Sequence, residues 1–182
     1  MLTIGVIRLP AFETYNEPTI LSNKGTLVIN GIVKFHPGVK CNIYKGATMT
    51  LGNHVGFGAN TKIACSNSIT IKDEFRMSWN SQIFDTDFHF LYNIEKDKYY
   101  ANSKPINIGT NVFIGNGCTI AKGTTLPDGC VVSCISKVSG DFSKEGENLL
   151  IAGNPATIIK KGVNFSNGWY PQKEAEIAKQ FK

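Results

Sequence analysis

Residues 106–138 read INIGTNVFIGNGCTIAKGTTLPDGCVVSCISKV, and every sixth position carries an apolar side chain: Ile108, Ile114, Ile120, Leu126, Val132 and Val138. Glycine follows directly at Gly109 and Gly115. An amphipathic helix repeats about every 3.6 residues and a half-buried strand about every 2, so neither accounts for a period of six. A fixed repeat of short strand plus turn is the mark of a β-solenoid, in which each coil covers the core of the next. Toward the N-terminus the same frame takes in Leu27, Val33, Val39, Leu51, Phe57, Ile63, Ile69 and Phe75, with Lys45 as its break.

Three hexapeptides close one triangular coil, so residues eighteen apart are expected to stack at about 4.8 Å. Ile108 then lies on Leu126, Ile114 on Val132 and Ile120 on Val138. The same arithmetic puts His36 and His54 in one slot of adjacent coils, stacked on an outer edge. Glycine after the apolar residue suits a turn where a Cβ would crowd the backbone or φ becomes positive. The spacing leaves handedness open, and the general crossover preference is right-handed.

With 182 residues the chain has length for one domain and an ample core. Hydrophobic residues at 42% and charged residues at 18% exclude a disordered chain. No window holds the run of about 18 apolar residues that a membrane helix needs. The start, MLTIGVIRLPAFE, has neither a basic n-region nor a long apolar h-region, so a cytoplasmic protein without membrane insertion is expected. The net charge of +5 comes almost wholly from scattered lysines, Arg8 and Arg76 being the only arginines. A nucleic-acid binder gathers its basic residues with arginine and aromatics on one face. The excess fits a phosphate-bearing small ligand better. Five cysteines without CxxC spacing predict small buried thiols, not a disulfide framework or a metal cage.

The whole chain reads as a single domain in five parts. Residues 1–20 are a lead-in covering the first rung, and 21–83 are the first coils. Residues 84–105 break the frame as an excursion, and 106–163 hold the later coils and a closing element. The tail, 164–182, is expected to form a short helix from Pro171, with Ile177, Ala178 and Phe181 packing on or beside the prism.

Three segments give the chain a family likeness: the run 106–138, the segment AGNPATIIKKG at 152–162, and DTDFHF at 85–90. Together they resemble the hexapeptide-repeat acyltransferases of the maltose, galactoside and polysaccharide O-acetyltransferase type, over roughly residues 20–163. The resemblance implies an all-β fold, a left-handed parallel β-helix. It also implies acetyl-CoA as acyl donor, a homotrimer with sites shared between subunits, and a catalytic histidine in the excursion. No long helical segment precedes the repeats, which favours the polysaccharide-decorating branch over a maltose enzyme.

His89 is the histidine in question, set among Asp85, Asp87, Phe88 and Phe90 where the regular frame breaks. Acetyl transfer from a thioester needs the attacking hydroxyl to lose its proton, and imidazole, with an ordinary pKa of about 6.5, accepts one near neutral pH. Asp85 or Asp87 is expected to hold the other ring nitrogen, and Asn80 resembles the polar residue that positions the acceptor in some members. Trp79, Phe88 and Tyr92 are candidates for an apolar wall against a sugar ring, or anchors of the loop on the prism or a neighbour. For the coenzyme, the resemblance implies a groove along 108–138. Gly115, Ala121, Gly123 and Ser133 would let the pantetheine arm approach, and Lys137, Lys160 and Lys161 would meet its phosphates, beside Pro155 in the closing element.

The reading is therefore an acetyl-CoA-dependent O-acetyltransferase acting on a saccharide. The alternatives are N-acetylation of an amino sugar or antibiotic, and a non-catalytic solenoid scaffold. A zinc enzyme on the same solenoid needs three convergent histidines, and His36, His54 and His89 are not spaced for that.

Overall fold

In the computed structural model, residues 1–4, 17–166 and 171–181 are described. They build a triangular prism of parallel strands, a left-handed β-helix as in the acyltransferases it resembles. The first face stacks Leu2–Ile4, Val33–Phe35, Val55–Phe57, Arg76–Met77, Phe113–Ile114, Val131–Val132 and Leu149–Gly153, and Ala156–Lys161 closes it antiparallel. The second stacks Ile20–Asn23, Lys40–Ile43, Lys62–Cys65, Gln82–Phe84, Thr119–Ala121 and Lys137–Val138. The third stacks Thr26–Ile29, Thr48–Leu51, Ser68–Ile71, Ile106–Ile108 and Thr125–Leu126.

The late frame holds: Ile108 pairs with Leu126, Ile114 with Val132 and Ile120 with Val138, all inside the prism. The early coils do not keep eighteen residues. Phe35 stacks on Phe57, 22 positions on, and Phe57 on Met77, 20 positions on. The reason lies in the width of the prism. Lys40–Ile43 and Thr48–Leu51 each turn two residues inward, Cys41 with Ile43 and Met49 with Leu51. The short late strands turn one inward, such as Ile114 and Leu126. The wide end is filled by a ring stack, with Phe35–Phe57 centroids at 5.1 Å and Phe57–Phe75 at 5.7 Å. His36 and His54 consequently do not stack: His36 follows Val33–Phe35, whereas His54 precedes Val55–Phe57 and bonds Glu74 at 2.7 Å.

Four of the five thiols are buried as expected, and burial pushes Cys41 and Cys65 up to about 12. Cys134 is the exposed exception. The C-terminal helix spans Pro171–Ala178 and passes into a 3-10 turn, Lys179–Phe181. Ala178 and Phe181 do not pack on the prism; Phe181 is 84% exposed. No helix among the described residues is long and apolar enough to cross a membrane.

The corner between the first and second faces repeats one backbone device. Gly38, Asn60, Asn80, Gly117 and Ile135 all adopt positive φ, between 55° and 74°. Glycine and asparagine tolerate that region, but a β-branched side chain is strained there. Ile135 is also 77% exposed, so packing returns little of that strain. Ile135→Asn is expected to stabilise the chain by about 1 kcal/mol, read as a melting-temperature rise of roughly 2–4 °C. An unchanged or lower value would mean that the side chain makes a contact beyond this single chain.

Candidate active site

The excursion leaves the second face after Gln82–Phe84 and returns before Ile106–Ile108. Its neck is closed by backbone bonds from Asp87 N to Asn102 O (2.7 Å) and from Lys104 N to Asp85 O (2.9 Å), with Thr86 opposite Ser103. Beyond the neck, Leu91–Asn93 and Lys98–Tyr100 form an antiparallel hairpin. Asp85 is fully buried, and its carboxylate accepts the N–H groups of Ser66 and Asn67 on the preceding coil, both at 2.7 Å. Burial raises the Asp85 carboxyl above the usual range, and those N–H bonds pull against the rise. On the following coil Lys122 clamps both legs of the neck: Nζ lies 2.5 Å from the Asp87 carboxylate and donates to the carbonyl of Ala101 at 2.7 Å.

His89 sits at the tight turn just past this neck. The Thr86 hydroxyl accepts the N–H of Phe88 at 2.9 Å, and Phe88 takes a φ of 64°. The Phe88 ring is held edge-on by Phe84 (5.7 Å) and Tyr44 (6.5 Å). An aromatic residue at positive φ is a costly conformation that persists only where its surroundings impose it, a habit of active sites. The imidazole that follows is exposed to solvent.

Both aspartates offered as partners of His89 are therefore engaged elsewhere. Asp85 anchors the exit from the prism and Asp87 pairs with Lys122. Asp87 and His89, two residues apart, would share a face of an extended strand, but Phe88 at positive φ breaks the extended backbone between them. Lys122, which ties the excursion to the later coils, escaped the sequence reading; it lies far along the chain from the residues it clamps and belongs to no motif.

Asn80 occupies a corner whose backbone itself calls for asparagine or glycine, with φ 55° and its N–H on the carbonyl of Ala59. It lines a cleft of about 350 Å³ with Glu17, Lys40, Asn60, Lys62 and Gln82. The strand Gln82–Phe84 separates this cleft from the excursion, so Asn80 and the start of the neck are roughly 15 Å apart in one chain at about 3.3 Å per residue. Trp79 is half-buried at the same corner, its carbonyl accepting the N–H of Gly117. Tyr92 bonds Asp97 across the hairpin tip and packs on Tyr99 at 4.9 Å.

The coenzyme candidates divide. Ala121 and Lys137 face outward on the second face, and Ser133 is exposed at the corner leading to it. Gly123, φ 77°, touches the Lys104 side chain at the foot of the excursion; a Cβ there would lie 3.2 Å from it. Gly115 is a correction. It is buried, and a Cβ would come within 2.7 Å of the backbone nitrogen of Cys134, so its smallness serves the stacking of coils and not a ligand. Pro155, in a cis peptide, turns the chain between Leu149–Gly153 and Ala156–Lys161, where Lys160 and Lys161 are exposed. Lys161 is bound to Glu145, donating to its carbonyl at 2.8 Å. Among the described residues, no group of three His, Cys, Asp or Glu is placed to hold a metal.

The chain is a triangular parallel β-helix whose excursion carries His89 just before the hairpin and is clamped onto the later coils by Lys122. No protein-family model matches the chain. It is 34% identical over 153 residues to an uncharacterized 24.8 kDa protein in the cps region of Klebsiella pneumoniae, covering 84% of this chain and 66% of that one. It is 28% identical over 154 residues to the putative lipopolysaccharide biosynthesis O-acetyl transferase WbbJ of Escherichia coli, covering 79% and 76%. The chain thus spans about two thirds to three quarters of these relatives. Among solved structures, the polySia-specific acetyltransferase NeuO superposes with a TM-score of 0.63 at 22% identity, covering 83% of this chain and 77% of that one. A galactoside acetyltransferase in complex with coenzyme A gives 0.52 at 22% identity, covering 78% and 72%. The chain is thus similar in sequence to proteins named as O-acetyltransferases and similar in fold to solved acetyltransferases.

Proposed function

We propose that this protein is an acetyl-CoA-dependent O-acetyltransferase that modifies a saccharide hydroxyl in surface-polysaccharide biosynthesis, with His89 as general base. The observation that carries the reading is the clamped neck: Asp85 and Lys122 fix the excursion to coils on either side, and the turn at Phe88 presents a lone imidazole to solvent. Lys122 lies between Ala121 and Gly123, so the coil proposed to bind the coenzyme also positions the base. Coenzyme A in the galactoside neighbour and the name of the lipopolysaccharide relative support the donor and the acceptor class.

In the reaction, His89 takes the proton of the acceptor hydroxyl as its oxygen attacks the thioester carbonyl. The tetrahedral intermediate then collapses with loss of the coenzyme thiolate, and the imidazolium returns the proton to that sulfur. The separation of His89 from the cleft at Asn80 favours a site completed by a second copy of the chain. The hairpin supports this, because Phe90, Leu91, Ile94 and Tyr99 expose a large apolar surface in the single chain, Ile94 at 85%. A cytoplasmic homotrimer is accordingly proposed. Acetyl-CoA incubated with a panel of oligosaccharides should release thiol with at least one, and the protein should sediment as a trimer at micromolar concentration. Thiol release with none, or a monomer, would sink the respective part.

A further inference from the structure

We propose that the cleft at the corner between the first and second faces selects a carboxylate-bearing saccharide, with Lys62 holding the carboxylate. This deepens the acetyltransferase reading and rests on it. The argument starts from a ladder position. Lys40 and Lys62 stand directly opposite each other on adjacent strands, and Gln82 follows on the next. Adjacent strands are about 4.8 Å apart, and like charges facing each other across a ladder destabilise it. A fold without a use for the second charge would lose nothing by placing a neutral residue there.

One acidic group relieves the repulsion in part. The Glu17 carboxylate lies 3.7 Å from the Lys40 ammonium. Among the described residues Lys62 has no carboxylate within salt-bridge distance, and it is exposed. Among the described residues the cleft therefore holds one positive charge without a carboxylate partner, in a concave surface that concentrates its attraction for an anion. Three carboxamides surround it: Asn60, Asn80 and Gln82. The Gln82 amide nitrogen is committed to the Thr119 hydroxyl at 3.0 Å, leaving its carbonyl oxygen to accept. Carboxamides pair with sugar hydroxyls as donors and acceptors, and an ammonium offers three donors to a carboxylate. Ser81 adds nothing, since its hydroxyl is spent on Gly115 O and Cys118 N, both at 3.1 Å. Among the described residues no aromatic ring lines the cleft, and recognition by them is through charge and hydrogen bonds. A hexuronic or sialic acid unit has the required chemistry.

The test compares an oligogalacturonate and an oligosialate, each with its carboxyl-reduced form, by equilibrium binding to the full chain and by thiol release from acetyl-CoA. For at least one pair, the acid should bind about tenfold more tightly than its reduced form, as befits a charge-assisted hydrogen bond, and the advantage should shrink at high salt. Lys62→Gln should erase the difference by raising KM for the acid with little change in kcat, and Lys62→Arg should keep it. Equal binding of acid and reduced forms in both pairs, or a Lys62→Gln variant that weakens both forms alike, overturns the proposal. If no acceptor releases thiol, the acetyltransferase reading fails, while the binding comparison still decides the cleft.

Discussion

His89→Ala is expected to lower acetyl transfer by about 10²-fold or more, the usual loss when a positioned general base is removed, while coenzyme affinity and melting temperature stay near those of the native chain. The side chain is exposed at the turn, so its removal opens no cavity. The neck beneath it is held by groups the substitution leaves alone, Asp85 on Ser66 and Asn67, and Asp87 on Lys122. His36→Ala and His54→Ala are the controls and should leave turnover nearly unchanged. His54 is bound to Glu74 at a different corner, and His36 lies half-buried beside the first face. Near-native turnover by His89→Ala would remove the general-base assignment, whatever the fold.

How much of this was legible in the sequence depends on what each residue answers to. Inward positions of a solenoid answer to a local rule, one apolar residue per short strand, and so Ile108 to Val138 declare both their burial and their partners. The early coils obey the same rule with wider sides. Their inward residues, Val33, Phe57 and Ile63 among them, were readable, but the stacking distance was not, because a strand that turns two residues inward lengthens the coil to 22 residues while apolar residues still fall at most sixfold positions, Lys45 marking the one slip.

The site was legible in its place and not in its partners. The break in the frame marks the excursion and its histidine. The roles of the polar residues around it are set by which coil lies above and below, a relation that local spacing does not carry. Asp85 is polar and next to a candidate base, yet its oxygens face backward onto Ser66 and Asn67. Gly115 sits in the expected coenzyme run, yet the coil beyond it covers it. Lys122 looks like any surface lysine until the neck is folded against it.

Ile120→Asp is expected to unfold the chain under conditions where the native protein is fully folded. Ile120 has no exposed surface and lies in register between Ile83 on the coil before and Val138 on the coil after. A carboxylate at that point has no water and no donor, since the neighbouring backbone groups are already spent in the parallel ladder. The lost apolar contact alone costs a few kcal/mol, and burying an unpaired charge adds several more even when the group escapes by taking up a proton. The total, about 5 kcal/mol or above, rivals the whole stability of a typical domain. Ile120→Val, which removes one methylene and keeps the strand shape, should cost only about 1 kcal/mol. Denaturant unfolding of the two variants followed by circular dichroism separates the cases: a native-like transition midpoint for Ile120→Asp would place this side chain outside the dry interior, and with it the sixfold frame from which the architecture follows.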